Sequence, residues 1–132
     1  MGINVLVVDD SGVMRSMIIK ILGMTGLPIG EVYQAGNGQE GLEMLDHNRI
    51  DLVIADINMP VMNGEEMIGR MRENPDTGGT PVVVVSTEGN MTRIERLKDK
   101  GAVFIRKPFT PEIIRDAIKV VLKPGGSDEN TA

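Results

Sequence analysis

Four short apolar runs limit what this chain can fold into. Residues 5–8, 52–55, 82–85 and 102–105 are each four consecutive apolar residues, rich in valine. Runs this short are not helices, and the absence of polar alternation means that both faces are covered. Parallel strands packed between two layers of helices satisfy both conditions. Residues 31–35, Glu-Val-Tyr-Gln-Ala, are less apolar and partly alternate, which suits a strand at the sheet edge. Helical periodicity fills the gaps. Met14, Met17, Ile18, Ile21, Leu22 and Thr25 form one stripe, with Ser11 as N-cap. Gly41, Leu42 and Leu45 mark a second helix, and Met67, Ile68 and Met71 a third. The third opens at Asn63 with Glu66 three residues on, in the manner of a capping box. Met91, Ile94 and Leu97 mark a fourth. Ile114, Ala117, Ile118 and Val121 mark a fifth, with Thr110 as cap and Pro111 at the first helical position. Five strand–helix units predict an α/β three-layer sandwich. Most of the ten methionines fall on the helical stripes, which reads as core filling rather than ligation.

The 132 residues suit one domain, expected over 1–123, with a polar, breaker-rich and flexible tail at 124–132. The chain has no cysteine, so disulfide and thiol chemistry are excluded. No apolar run approaches the ~20 residues that cross a bilayer. The N-terminus enters a strand without a signal-peptide pattern, so a cytoplasmic protein away from membranes is expected. Net charge is −5 but unevenly spread. Residues 1–87 carry 5 Lys/Arg against 12 Asp/Glu, whereas 88–123 carry 9 against 5. The acidic first part argues against nucleic-acid binding. The basic last third suits an acidic protein partner or, more plainly, a solvated helix surface.

The chemistry sits at the strand ends. Asp9 and Asp10 follow the first run, Asp56 follows 52–55, Ser86 closes 82–85, and Lys107 follows 103–106. In an open parallel sheet these ends line one crevice, where ligands bind. Three carboxylates there call for a cation, and a lysine calls for an anion. The set reads as a divalent metal plus a phosphoryl group, with an aspartate as nucleophile. Asp10 and Asp56 are candidate Mg2+ ligands, Asp9 a holder of metal-bound water, and the Asn58 backbone carbonyl a further ligand.

Taken together, Val-Val-Asp9-Asp10-Ser, Asp56-Ile-Asn-Met-Pro60 with Asn63-Gly64, Val-Ser86-Thr and Lys107-Pro108-Phe109 resemble the receiver domain of two-component response regulators, most of all its single-domain chemotaxis type. The resemblance spans about residues 3–122. It implies a flavodoxin-like (βα)5 fold, with a five-stranded parallel sheet of order 2-1-3-4-5. It also implies a role for each matching residue. Asp56 is the phosphoacceptor, and Asp9 and Asp10 are the acidic pair that holds Mg2+. Lys107 contacts the phosphoryl group, Ser86 moves toward it, and Phe104 is the aromatic switch. Asn58 and Glu88 tune phosphoryl lifetime. A cis Lys107–Pro108 bond is expected. Phe104 departs from the usual tyrosine and loses its hydroxyl. Gly12 and Val13 are small, which opens the crevice mouth. Arg106 has no assigned role.

The function implied is a phosphoacceptor signalling switch, in chemotaxis as the first expectation, that assists its own phosphorylation and dephosphorylation without a separate enzymatic activity. Its partners would be a histidine kinase, a downstream protein such as the flagellar switch at the 88–123 face, and a phosphatase. The chain itself would be a monomer. Competing classes fit less well. An aspartyl phosphohydrolase wants a general acid two residues after its nucleophile, where this chain has Asn58. A flavin carrier of this fold wants a phosphate-binding first loop, whereas this one is acidic. A phosphate-independent binding module would have no use for the intact acidic set.

Overall fold

The computed structural model describes residues 2–122. Strands and helices alternate throughout: β1 (Ile3–Val8), α1 (Gly12–Gly23), β2 (Ile29–Ala35), α2 (Gly38–His47), β3 (Leu52–Ala55), α3 (Gly64–Glu73), β4 (Val82–Ser86), α4 (Met91–Asp99), β5 (Val103–Arg106) and α5 (Pro111–Val121). The five strands form one parallel sheet of order β2-β1-β3-β4-β5. The partly alternating strand is at an edge, as expected. The tail expected at 124–132, and Lys123, lie outside the described residues.

Side chains alternate across a strand, so each apolar run feeds two cores. Leu6, Val8, Val53, Ala55, Val82 and Val84 pack against Met67, Ile68 and Met71 of α3 and Leu97 of α4. Val5, Val7, Leu52, Ile54, Val83, Val85 and Ile105 pack against Ile18 and Leu22 of α1 and Ile114 and Ile118 of α5. This double coverage is why the runs contain no polar residue.

The register levels the strand ends. Val8 pairs with Ala55 and Ala55 with Val84, so Asp9, Asp56 and Ser86 emerge along one edge. All five helices start at that edge, and each N-cap side chain accepts a backbone N–H three residues on: Ser11 from Met14, Asn37 from Glu40, Asn63 from Glu66, Asn90 from Arg93 and Thr110 from Ile113. Each cap stabilises by about 1 kcal/mol. The aligned helix N-termini also bring partial positive charge to the crevice rim.

Three local expectations are corrected. Thr25 is not on the stripe of α1. The helix ends at Gly23, and the buried Thr25 hydroxyl donates to the Leu22 carbonyl. Met17 and Met91 are exposed, so not every stripe methionine fills the core. At α3 the capping is one-sided: the Glu66 carboxylate pairs with Arg70 one turn on.

At the opposite end of the sheet, Arg72 gathers three carbonyls. Its Nε donates to Lys100 O at 2.8 Å, and its Nη1 to Gly78 O at 3.2 Å and Thr80 O at 2.7 Å. One guanidinium thus joins the end of α3, the loop before β4 and the end of α4.

Candidate phosphoacceptor site

Asp9, Asp10 and Asp56 each offer a carboxylate oxygen, and these oxygens lie within 4.8 Å of one another. Asp9 is buried. Its Oδ1 accepts the Ser11 N–H at 2.9 Å, while its buried Oδ2 accepts no hydrogen bond. Lys107 Nζ stands 3.5 Å from that Oδ2 and 3.4 Å from Asp56 Oδ2, at ion-pair range. Burial raises the Asp9 pKa, and the Asp56 charge adds to this, while the Ser11 N–H and Lys107 act against it. A hard divalent cation fits this set. All donors are oxygens, one buried oxygen lacks a hydrogen-bond partner, and an octahedral magnesium shell is about 4.2 Å across.

Asp56 is held at the end of β3. Its N–H donates to Val8 O at 3.0 Å, and its Oδ1 accepts the Ile57 N–H at 2.7 Å. The next loop turns back sharply. Val61 has φ +69°, and the Met62 N–H donates to Pro60 O at 2.7 Å, closing a strained γ-turn on an exposed β-branched residue. Gly64 then opens α3 directly against Asp56. A Cβ at Gly64 would stand 2.2 Å from the Asp56 carbonyl oxygen, so only glycine allows this approach.

Ser86 is buried at the end of β4, where its Oγ accepts the Glu88 N–H and its carbonyl accepts the Lys107 N–H. The Lys107–Pro108 peptide is cis, as expected. Phe104 is half-buried in the core beneath α3 and α4. Arg106 lies over its ring, 6.0 Å from the centroid, which gives this arginine a contact.

Beside the acidic crevice is an open apolar cleft of about 320 Å³, lined by Met14, Met17, Thr87, Lys107, Pro108 and Phe109. The exposed Met17 is one of its walls. On the other side, Arg93 Nη1 donates to Asn58 Oδ1 at 3.1 Å and to Glu88 Oε1 at 3.1 Å. Arg93 Nε reaches Glu65 Oε1 at 3.2 Å, and Arg96 grips Glu65 through two bonds of 2.6 and 3.1 Å. The Arg96 bonds hold the Glu65 carboxyl below its usual range. For Glu88 it is first the Asn90 N–H, then Asn58 and Arg93, that lower it. Sequence reading missed this network. The only trace was Arg93 and Arg96 at helical spacing, and their partner is on a helix 28 residues earlier.

The response regulator receiver domain family matches residues 5–119. The chain belongs to that family. This receiver domain is 36% identical to chemotaxis protein CheY1 of Helicobacter pylori over 121 residues, 90% of this chain and 96% of that protein. It is 31% identical to sporulation initiation phosphotransferase F of Bacillus subtilis, over 92% of this chain and 95% of that one. Among solved structures, chemotaxis protein CheY4 of Vibrio cholerae superposes with TM-score 0.81 at 34% identity, covering 92% of this receiver and all of that chain. The flavodoxin-like fold and strand order are those implied by the resemblance. The receiver is thus a component of two-component signalling, with chemotaxis proteins among its relatives. No described helix is long and apolar enough to cross a membrane.

Proposed function

We propose that this receiver is a phosphoacceptor switch with Asp56 as its nucleophile. One observation carries the reading: three carboxylates converge within 4.8 Å while Lys107 Nζ touches two of them. A carboxylate oxygen of Asp56 attacks the phosphorus of a phosphohistidine on a histidine kinase. An O–P bond forms, the N–P bond breaks, and the imidazole nitrogen leaves with the bond's electron pair. Asp9, Asp10, Asp56 and the Asn58 carbonyl would hold Mg2+. When bound, Mg2+ neutralises charge on the transferring phosphoryl oxygens. Lys107, with its Nζ 3.4 Å from Asp56 Oδ2, supplies a second positive charge. The donor protein rests on the crevice rim, whose apolar part is the Met14, Met17 and Phe109 cleft.

The acyl phosphate then draws Ser86 Oγ toward it. The loop after β4 follows, and Phe104 fills the space released. Without a hydroxyl, this residue switches by packing alone. The change appears on the surface built by α4, β5 and α5, where an output protein is read as binding. That surface is less basic than its composition suggests, because Arg93 and Arg96 are engaged by Glu65. Lys98, Lys100, Arg106 and Lys119 are the cations of that surface left to an acidic partner among the described residues. The likeness to chemotaxis proteins favours a flagellar-type target over the relay suggested by the sporulation relative. Cytoplasmic location follows from the same role.

The test is intact-protein mass after incubation with acetyl phosphate. One phosphoryl mass is expected with Mg2+ and none without it. Retention of the added mass in Asp56→Asn refutes the assignment.

A further inference from the structure

We propose that Arg93 is a positioning residue of the phosphoacceptor site, which holds Glu88 and Asn58 away from the phosphoryl group and so prolongs its lifetime. The inference rests on Asp56 being the phosphoacceptor. Asn58 lies two residues past Asp56, and Glu88 two residues past Ser86. Two residues span at most about 7 Å, so both side chains belong to the lip of the crevice. Both are turned onto one guanidinium, at 3.1 Å each. That guanidinium is itself fixed. Its Nε is on Glu65, which Arg96 grips in turn, and its backbone N–H is capped by Asn90. The Arg93 and Glu88 side chains are only 21% and 15% exposed, so solvent does not loosen them freely. A planar fork of donors meets three acceptors in different directions at once, which an ammonium does not reproduce in fixed geometry.

The consequence concerns hydrolysis. A carboxylate at the lip can accept a proton from a water that attacks phosphorus. The water oxygen forms the new O–P bond, the Asp56 oxygen–phosphorus bond breaks, and the Asp56 carboxylate and inorganic phosphate result. Glu88 does this only when its Oε1 is released from Arg93. In this chain the same residue therefore acts as a base or as a bound ligand of Arg93, and α4 decides which. The device also connects α4 to the chemistry: a partner that pulls Arg93 away on binding α4 shortens the signal it reads.

The test measures acyl-phosphate half-life by intact mass, after rapid removal of acetyl phosphate and with Mg2+ kept constant. Arg93→Ala is expected to shorten the half-life by about 100-fold, the low end for general-base assistance. Arg93→Lys, which keeps the charge and the helix but not the fork, is expected to lie between. Arg93→Ala combined with Glu88→Gln should return to within about twofold of Glu88→Gln alone, because the effect runs through that carboxylate. A merely structural loosening of α4 would persist in the Glu88→Gln background, and that result overturns the proposal. So does an unchanged half-life in Arg93→Ala. If the wild-type protein gains no phosphoryl mass, the reading of Asp56 fails first and this inference with it.

Discussion

Gly64→Ala is a single-methyl test of how tightly the site is built. The new Cβ would stand 2.2 Å from the Asp56 carbonyl oxygen and 3.1 Å from both the Asp56 carbonyl carbon and Ile57 Cα. Ordinary carbon contacts begin at about 3.5 Å, so backbone must move by roughly 1 Å. No flexible side chain can absorb the change, because all three atoms are main chain. The Asp56 N–H is tied to Val8, and the Gly64 N–H to Ile57, so the strain displaces Asp56 itself. Overpacking costs about 1–3 kcal/mol, offset by less than about 1 kcal/mol of gained helix propensity. A melting temperature lower by roughly 3–10 °C follows. A 1 Å misplacement of a reacting group costs on the order of 100-fold in rate. The assay is the rate of phosphoryl gain on Asp56 from acetyl phosphate at saturating Mg2+, beside a melting curve. Gly69→Ala in the same helix is the control, since its Cβ would meet nothing nearer than Lys100 Cε at 3.9 Å. Wild-type labelling and wild-type melting in Gly64→Ala would refute the reasoning.

Further outcomes are expected. Mg2+ should raise the melting temperature, by the equivalent of about 2.7 kcal/mol at 100-fold excess over its dissociation constant. Asp9→Asn should abolish that rise while stabilising the metal-free protein, because it removes a buried charge; a persistent metal-dependent shift would place the ion elsewhere. The acid limb of stability should carry two opposed contributions. Glu65, lowered by Arg96, adds stability above the ordinary value of 4.5 that is lost as pH falls through its folded pKa. Asp9, raised by burial, makes the fold less stable as pH rises from 3.8 through its folded pKa. Melting curves across this range should therefore flatten for Glu65→Gln and steepen for Asp9→Asn. Val61→Asn should stabilise by about 1 kcal/mol, since asparagine adopts a positive φ more readily than a β-branched residue does. An unchanged or lower melting temperature would show that the turn relaxes without cost.

The unbroken apolar runs announced strands covered on both faces, and the structure supplies two cores from alternate residues of each. The placement of the candidate site residues was equally legible where it depended on strand ends. Asp9, Asp56, Ser86 and Lys107 follow apolar runs, and parallel register brings them to one edge. What stayed hidden depends on contact between elements distant in sequence. Nothing in the string links Glu65 to Arg93 and Arg96 until α3 and α4 are neighbours. Composition therefore credited the α4 surface with positive charge that Glu65 and Glu88 already pair. Thr25 misled for a different reason: it continues the stripe of α1 by spacing, but its hydroxyl closes the helix it was assigned to. Arg106 gained a partner only once β5 placed it two residues along the same face from Phe104.

The grip of Arg72 on the Lys100 carbonyl makes α4 a lever. Its far end is pinned to α3 and to the loop before β4 through main-chain oxygens. Its near end, beside the acidic crevice, is moored by side chains: Arg93 on Glu65, Asn58 and Glu88, Arg96 on Glu65, and the buried Ile94. Nine residues make an arm of about 13 Å, so a tilt of about 5° at the fulcrum swings the near end by roughly 1 Å. That is enough to undo a hydrogen bond to Glu88 while Leu97, close to the fulcrum, hardly shifts in the core. Such a tilt would be amplified at the candidate site and damped where packing must be kept. Strengthening the mooring should stiffen the response, and cutting the fulcrum at Arg72 should leave the arm loose in both states, with little left for a phosphoryl group to change.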